Sequence, residues 1–361
     1  MIRGDNIKLK NYAPRLMDKL LSIGYFRSGK SMFHGPVTFI EGIPNSTIRT
    51  RLVLAEQKLG KSSRKLLAKN NRLFTHAVCE LDLDQEILEL YEEYRTHCFK
   101  GNLNGELSEW LEGSFELKIF NTKIIKFYDG DRLIAASFVD IGLESMASIM
   151  GIYHPDYSKH SLGVYSMLVE VECAKEMGLD YYYPGYILSA SPRFEYKKKV
   201  GNLDYKSFDS LQWKPEEDLS EDDYFVEKSM RRLEGVMECL KAYKIESELF
   251  SYPLFTWSTY PVNSSLLEHY FFLRVSLALF DTLHIIVVYD ISQDGFIIHL
   301  VNSIGEESST WKEFENYYPT EGNWLDTILI QSSSRLEQDE TLLPVLIISM
   351  LKAITDRISP E

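Results

Sequence analysis

The chain has 361 residues, 45% hydrophobic and 25% charged, with a formal net charge of -14. That length suits about two or three domains with a sizeable core, and the acidic balance excludes a general nucleic-acid coat, because phosphate affinity comes from clustered Lys and Arg. The four cysteines, Cys79, Cys98, Cys173 and Cys239, are scattered without zinc or redox spacing, so no metal site is expected.

In chain order, residues 15–23 predict a short amphipathic helix, and residues 24–35 a glycine-punctuated aromatic turn entering a strand. Residues 47–55 predict a strand. On it Arg49 and Arg51 alternate with apolar residues and so share one side. They either receive an acidic group or face solvent. Residues 62–70 predict a helix with Ser62 as its N-cap. Lys61, Lys65 and Lys69 recur every four residues and fall on one face. With Lys58, Arg64 and Arg72 they form a run that holds no acid between Gln57 and Arg72. Residues 1–75 are expected to form a small N-terminal domain around this basic helix.

Residues 76–213 are expected to form a second domain. Residues 84–97 carry an apolar stripe at helical spacing. Residues 117–128 and 132–141 predict a hairpin across Asp129-Gly130-Asp131. A strand over 145–153, a helix over 164–177 stopped by Gly178, and a strand over 181–188 follow. A parallel pair needs such a crossover helix. The order is that of a GNAT-type acyltransferase core, an α+β or α/β fold.

The acidic, Pro-containing stretch 213–223 reads as a linker. Residues 225–361 then read as an extra C-terminal α+β module, with helices at 225–244 and 342–358, a hairpin at 283–301 and a strand at 324–331. It carries no chemical motif. The longest apolar run is shorter than the about 20 residues that cross a bilayer. With no apolar signal segment at the N-terminus, the expected location is the cytoplasm.

The chemistry concentrates between Tyr153 and Lys199. A CoA-binding loop at this point normally offers Gly-x-Gly, so that backbone N–H groups approach the pyrophosphate. The loop here, residues 154–163, has the single glycine Gly163. Instead Tyr153, Pro155 and Asp156 lead into Ser161, Leu162, Gly163, Tyr165 and Ser166. The next strand has Tyr181, Tyr182, Gly185 and Tyr186, followed by Pro192, Tyr196 and Lys197. With Val139-Asp140 and the helix run Ser62-Ser63-Arg64-Lys65, these residues resemble the aminoacyl-tRNA–protein transferases, the arginyl and leucyl transferases of the N-degron pathway. The resemblance covers most of residues 47–213. Many members open with a cysteine-rich, metal- or cluster-linked domain, whereas no cysteine precedes Cys79 here. Ser189 and Ser191 stand where a His and a Cys are common in the family.

The resemblance implies transfer of an amino acid, arginine before leucine, from aminoacyl-tRNA to the free α-amine of an acceptor protein. The charged tRNA is a co-substrate, and no cofactor or membrane is involved. It assigns catalysis to Tyr196, Lys197 and Asp140. It assigns substrate binding to Arg49, Arg51, Tyr153, Asp156, Ser161, Gly163, Tyr165, Tyr183, Gly185 and Tyr186. Contact with tRNA falls to Lys61, Arg64, Lys65, Lys69 and Lys198. The plainer readings are a solvated Lys197-Lys198-Lys199 run, turn capping by Asp156 and a solvated face on the basic helix. Two other functions stay open: an N-acyltransferase using CoA or another small acyl donor, and a non-catalytic relative that binds N-termini or tRNA. The oligomeric state is left open.

Overall fold

The computed structural model describes residues 5–98, 105–115, 118–208, 212–253, 267–280, 283–304, 318 and 321–358. The fold is mixed α/β with several sheets. The chain divides into two compact units, one built from Asp5–His34 and Thr47–Leu219, the other from Gly35–Ser46 and Ser220–Glu361.

The first unit opens with β1 (Asp5–Lys8), α1 (Pro14–Ser22), β2 (Phe26–Ser28) and β3 (Ser31–His34). The strands form a small sheet in the order β1-β3-β2, and Gly29 turns the hairpin at φ +56°. Helix α1 buries Met17, Leu20 and Leu21 in a cluster with Met32, Phe120 and Tyr183. β4 (Val37–Ile40), in the segment that belongs to the other unit, pairs antiparallel with the start of β5 (Ile43–Val53), which continues into this one. Then come α2 (Lys61–Asn70), β6 (Thr75–Glu80), α3 (Gln85–Cys98) and α4 (Leu107–Trp110). They are followed by β7 (Thr122–Asp129), β8 (Arg132–Ile141), β9 (Ser145–Tyr153), α5 (Leu162–Glu176), β10 (Tyr181–Leu188), β11 (Asp204–Lys206) and β12 (Lys214–Pro215).

The main sheet runs β12-β11-β5-β10-β9-β8-β7-β6. β6 to β9 form an antiparallel meander, and α5 crosses over so that β10 joins β9 in parallel. Helix α5 is apolar nearly all round and correspondingly buried, from Leu162 through Ala174. It ends at Gly178, whose φ of +73° suits a left-handed C-terminal glycine. Helix α3 buries Ile87, Leu90 and Tyr91 against Ile124, Phe138 and Ile152. Each such side chain contributes about 1.5–3 kcal/mol by leaving water.

The second unit continues with α6 (Phe225–Ala242), β13 (Ser247–Ser251), β14 (Phe271–Phe280), β15 (Leu283–Asp290), β16 (Gly295–Ile304), β17 (Thr327–Ser333) and α7 (Leu343–Ile358). Its strands form an antiparallel sheet in the order β13-β14-β15-β16-β17.

Three sequence expectations change. The N-cap of α2 is Gly60, not Ser62, and it makes no side-chain cap. Ser63 instead donates its hydroxyl to the Lys199 carbonyl at 2.7 Å. The stretch read as a linker holds β12, which pairs with β11, and two 3-10 turns at Glu216–Asp218 and Glu221–Asp223. The predicted strand 117–128 begins at Thr122, and its first residue, 117, lies outside the described residues. No described helix is long and apolar enough to cross a membrane.

Candidate functional site

β9 and β10 pair at their starts, Tyr181 with Ser145, Tyr182 with Met146 and Tyr183 with Ala147. Beyond Ala147, β9 stays with β8, and beyond Tyr183, β10 stays with β5. The two parallel strands therefore part and leave a notch. A bulge between Tyr182 and Gly185 shifts the β10 register on β5 at the same level.

Lys197 reaches this notch from a 3-10 segment, Pro192–Val200. Its Nζ donates to the Tyr186 carbonyl at 3.0 Å and lies 5.3 Å from the Tyr186 ring centroid and 4.7 Å from that of Phe194. Gly185 makes the approach possible. A Cβ there would stand 3.0 Å from Nζ, and its φ of +98° disfavours any other residue. Burial, with the charge of Arg49 beside it, pulls the Lys197 amine down to about 7. Glu170 works in the opposite direction.

Glu170 lies on α5 and is 1% exposed. Tyr182 donates its hydroxyl to Oε2 at 2.8 Å, and Ser137 donates to Oε1. Burial raises the carboxyl to about 7, against hydrogen bonds from Ser137, Tyr182 and Ser148 and the nearby Lys197 charge. Tyr196 neighbours the same charge. It is 38% exposed, yet desolvation of its hydroxyl, helped by Glu170, raises the phenol to about 12. Burial thus moves one carboxyl and one amine, each within reach of the other's charge, toward neutrality from opposite sides.

The other expected residues fall in three places. Tyr186 forms the wall beneath Lys197 and Arg49, and Arg49 stands 5.4 Å from its ring. Arg49 is 4% exposed and donates Nε to the Gly24 carbonyl at 2.7 Å. Arg51 pairs with Asp204 at 2.7 Å and stacks over Tyr181 and Trp213. Tyr183 packs with α1 in the core, and burial raises its phenol.

Around the loop before α5, Asp156 is exposed, 3.9 Å from Arg132 and 3.6 Å from His154. Ser161 caps α5 in a left-handed conformation at φ +51°. A Cβ on Gly163 would meet the Tyr153 ring at 3.5 Å. Tyr165 is fully buried, and its hydroxyl donates to Asn71 Oδ1 at 2.9 Å. Burial lifts that phenol to about 12.

Asp140 is engaged elsewhere. It is 1% exposed and takes Arg27 Nη1 at 2.8 and 3.0 Å and the Thr122 hydroxyl at 2.5 Å. Its register partner is Ala147, at the paired end of β9. It therefore stands before the strands part, held by Arg27 and Thr122, and no tyrosine is among the bonds described for it.

Helix α2 borders the site. Buried Ser63 holds the Lys199 carbonyl, and buried Asn70 donates to the His160 carbonyl at 2.8 Å. Lys61, Arg64, Lys65 and Lys69 are exposed on its outer side. Lys69 is close enough to the loop to help burial push the His160 imidazole down. Lys198 is bound by Glu216 at 2.7 Å and Glu195 at 3.1 Å. Burial opposes its charge, but those hydrogen bonds raise it.

Sequence reasoning missed Glu170, Ser137 and Arg27. An acid inside the apolar run of α5, with Glu172 two residues on, was the available signal for Glu170. Ser137 reaches Glu170 and Arg27 reaches Asp140 through tertiary pairing, and neither has a local signal.

Residues 86–206 match the family described as "Arginine-tRNA-protein transferase, C terminus". An aspartate/glutamate leucyltransferase of Campylobacter jejuni is 27% identical over 202 residues, which cover 52% of this chain and 79% of that protein. One from Leptospira interrogans is 31% identical over 157 residues, covering 41% and 59%. One from a Shewanella species is 28% identical over 186 residues, covering 51% and 76%. Among solved structures, the C-terminal domain of a putative lysylphosphatidylglycerol synthetase from Agrobacterium fabrum overlaps at a TM-score of 0.34 and 14% identity, over 53% of this chain and 57% of that one. Overlap at that level carries no argument about fold or function.

Proposed function

The chain belongs, through residues 86–206, to the aminoacyl-tRNA–protein transferase family, and from that premise we propose that it transfers leucine from leucyl-tRNA to proteins beginning with Asp or Glu. The observation that carries the chemistry is the Lys197 amine at the notch where β9 and β10 part. Parted parallel strands beside a crossover helix suit a GNAT-like acyltransferase core.

The acceptor enters as an ammonium ion, whose ordinary pKa is about 7.7–8.0. Lys197, near 7, takes a proton from it. The freed amine attacks the ester carbonyl carbon of the aminoacyl-tRNA. Where β10 has left β9, beyond Ala147, a backbone N–H of β9 would face the oxyanion. The tetrahedral intermediate gives its second nitrogen proton to water and collapses, the ester C–O bond breaks, and the ribose oxygen leaves with the proton from Lys197. An amide has formed and Lys197 is neutral again, so no cofactor is consumed. Glu170 keeps the amine poised: its charge favours the lysinium, and its own protonation releases it. Tyr196 and Tyr186 close the notch around the reacting ester.

The choice of donor follows from charge and from the relatives. The sequence resemblance put arginine first. An arginyl side chain needs a carboxylate partner, and the acid placed at this notch, Glu170, is fully buried among hydroxyls. Lys197 and Arg49 stand beside each other at the notch, and Arg51 and Lys206 beside each other on the neighbouring β5–β11 face. A cation-rich site favours an apolar donor and an acidic acceptor, as in the names of the relatives. The exposed face of α2, anchored on both loops of the site, suits the tRNA backbone. We place the reaction in the cytoplasm, with the charged tRNA and the acceptor protein as partners.

The test is a transfer assay with labelled Leu-tRNA and Arg-tRNA and peptides beginning with Asp, Glu, Lys or Arg. Label from Leu-tRNA in the Asp and Glu peptides is the expected result. Label from Arg-tRNA alone would overturn the donor, and no label from any pair would overturn the reaction.

A further inference from the structure

β11 brings a lysine beside the notch that no motif marks. Lys206 is paired in register with Arg49 on β5, and Arg49 in turn with Tyr186 on β10. Residues paired in this way share a face about 5 Å apart. Tyr186, Arg49 and Lys206 thus form one row across three strands, and Arg51 and Asp204 form the next row on the same face.

Lys206 is 3% exposed, and its Nζ has no hydrogen-bond partner among the described residues. Trp213 lies over it, with its ring 5.7 Å from Nζ and 4.6 Å from the Arg51 guanidinium. Arg51 on this face is already held by Asp204 at 2.7 Å, so that carboxylate does not serve Lys206. A buried ammonium without an anion is costly. Burial, with Arg51 adding repulsion, pulls the Lys206 amine down. A hydrophobic residue of similar length would fill the space without that cost. An uncompensated cation buried beside a reaction site is a candidate for function rather than for stability.

We propose that Lys206, with Arg49 and Arg51, forms the pocket that receives the side-chain carboxylate of an acidic acceptor N-terminus. This rests on the transferase reading above and adds the residues that select the acceptor. The position fits, since Arg49 shares its row with Tyr186, whose carbonyl holds Lys197 Nζ. The acceptor's amine and its own side chain would thus lie along one row. Enclosure favours a carboxylate over tRNA phosphate. A side chain inserts end-on beneath Trp213, whereas a phosphodiester runs through and needs an open groove. Arginine and lysine also match a carboxylate with charge-assisted hydrogen bonds. Insertion displaces the Trp213 ring, so binding should change its fluorescence.

The experiment uses the full chain as wild type, Lys206→Met and Lys206→Glu. Identical peptides beginning with Asp, Glu, Asn or Lys are titrated by calorimetry and tryptophan fluorescence, with labelled tRNA binding and melting temperature measured in parallel. The wild type should bind Asp and Glu peptides at least about tenfold tighter than Asn peptides, roughly the value of one charged hydrogen bond. Lys206→Met should erase that preference, keep tRNA affinity and leave the melting temperature equal or higher. Lys206→Glu should turn the preference toward the Lys peptide. An acid preference that survives Lys206→Met overturns the proposal. So does an equal loss for all peptides together with tRNA, which would make Lys206 a phosphate ligand. A lowered melting temperature with intact preference would make it structural and would also overturn the proposal. Acid-selective binding by a protein that transfers nothing would sink the transferase reading but uphold this pocket. Transfer without acid preference would do the reverse.

Discussion

Asp140 and Glu170 are both buried carboxylates in one unit, each 1% exposed, and the molecule treats them in opposite ways. Asp140 meets Arg27 at 2.8 Å, with Thr122 on the same oxygen and Ser114 on the guanidinium. Every charge there has a partner. Glu170 meets hydroxyls from Ser137 and Tyr182, and its nearest cation, Lys197, is bound to a carbonyl instead. Burial therefore lifts Glu170 and lowers Lys197 until both titrate near 7. The lesson is that burial alone does not assign a role. A satisfied ion pair locks geometry, whereas a frustrated pair leaves a proton free to move.

The largest expected effect breaks the locked pair. Arg27→Ala leaves Asp140 buried without its cation and should cost about 3–5 kcal/mol in urea unfolding. A loss below about 1 kcal/mol would remove the distinction between the two sites.

The frustrated pair should show its difference in pH. Glu170 has a folded value near 7, above its ordinary 4.5. Its protonated form favours the fold, so that stability is full below 4.5 and is lost as pH rises through 7. Relative to Glu170→Gln, the wild type should lose up to roughly 3 kcal/mol between pH 4.5 and 8. Lys197, lowered from 10.5, has the opposite sense, with stability lost as pH falls from 10.5 toward 7. A difference between wild type and Glu170→Gln that stays flat with pH would contradict the account.

Gly185→Ala sharpens the comparison on a smaller scale. The added methyl meets Lys197 Nζ at 3.0 Å on a backbone at φ +98°. A cost of about 1–2 kcal/mol is expected, with transfer reduced more than stability because the amine is displaced. Equal effects on both would mean that the glycine serves the backbone alone. Smallest is the contribution of α2. Lys65→Gln with Lys69→Gln should leave peptide binding unchanged and lower the slope of log tRNA affinity against log salt by roughly 0.7 per lysine. An unchanged slope would remove this face from the tRNA path.

Much of the scaffold was legible because it is periodic. The β7–β8 hairpin turns at Gly130, and α5 stops at Gly178. The Tyr196-Lys197 pair lies on the 3-10 segment after β10, with Lys197 Nζ on the Tyr186 carbonyl. What stayed hidden depends on register and on long-range pairing. β11 and β12 are too short to show alternation, so Lys206 could not be placed beside Arg49. β6 is exposed and polar, and lacks the alternation of a half-buried strand. Arg27 and Asp140 are 113 residues apart in sequence, and nothing local joins them. Asp140, expected to hold the acceptor amine or orient a tyrosine, is bound by Arg27 and Thr122.

The central claim is that the Lys197 amine accepts the acceptor's proton. It is tested most directly by the pH profile of kcat/KM for leucyl transfer to an Asp peptide, in the wild type and in Lys197→Met. Expected are a wild-type limb near pH 7 and a loss of about 10²–10⁴-fold in the variant, with that limb gone and urea stability at pH 7 not reduced. An unchanged limb with near-wild-type rates in Lys197→Met would contradict it.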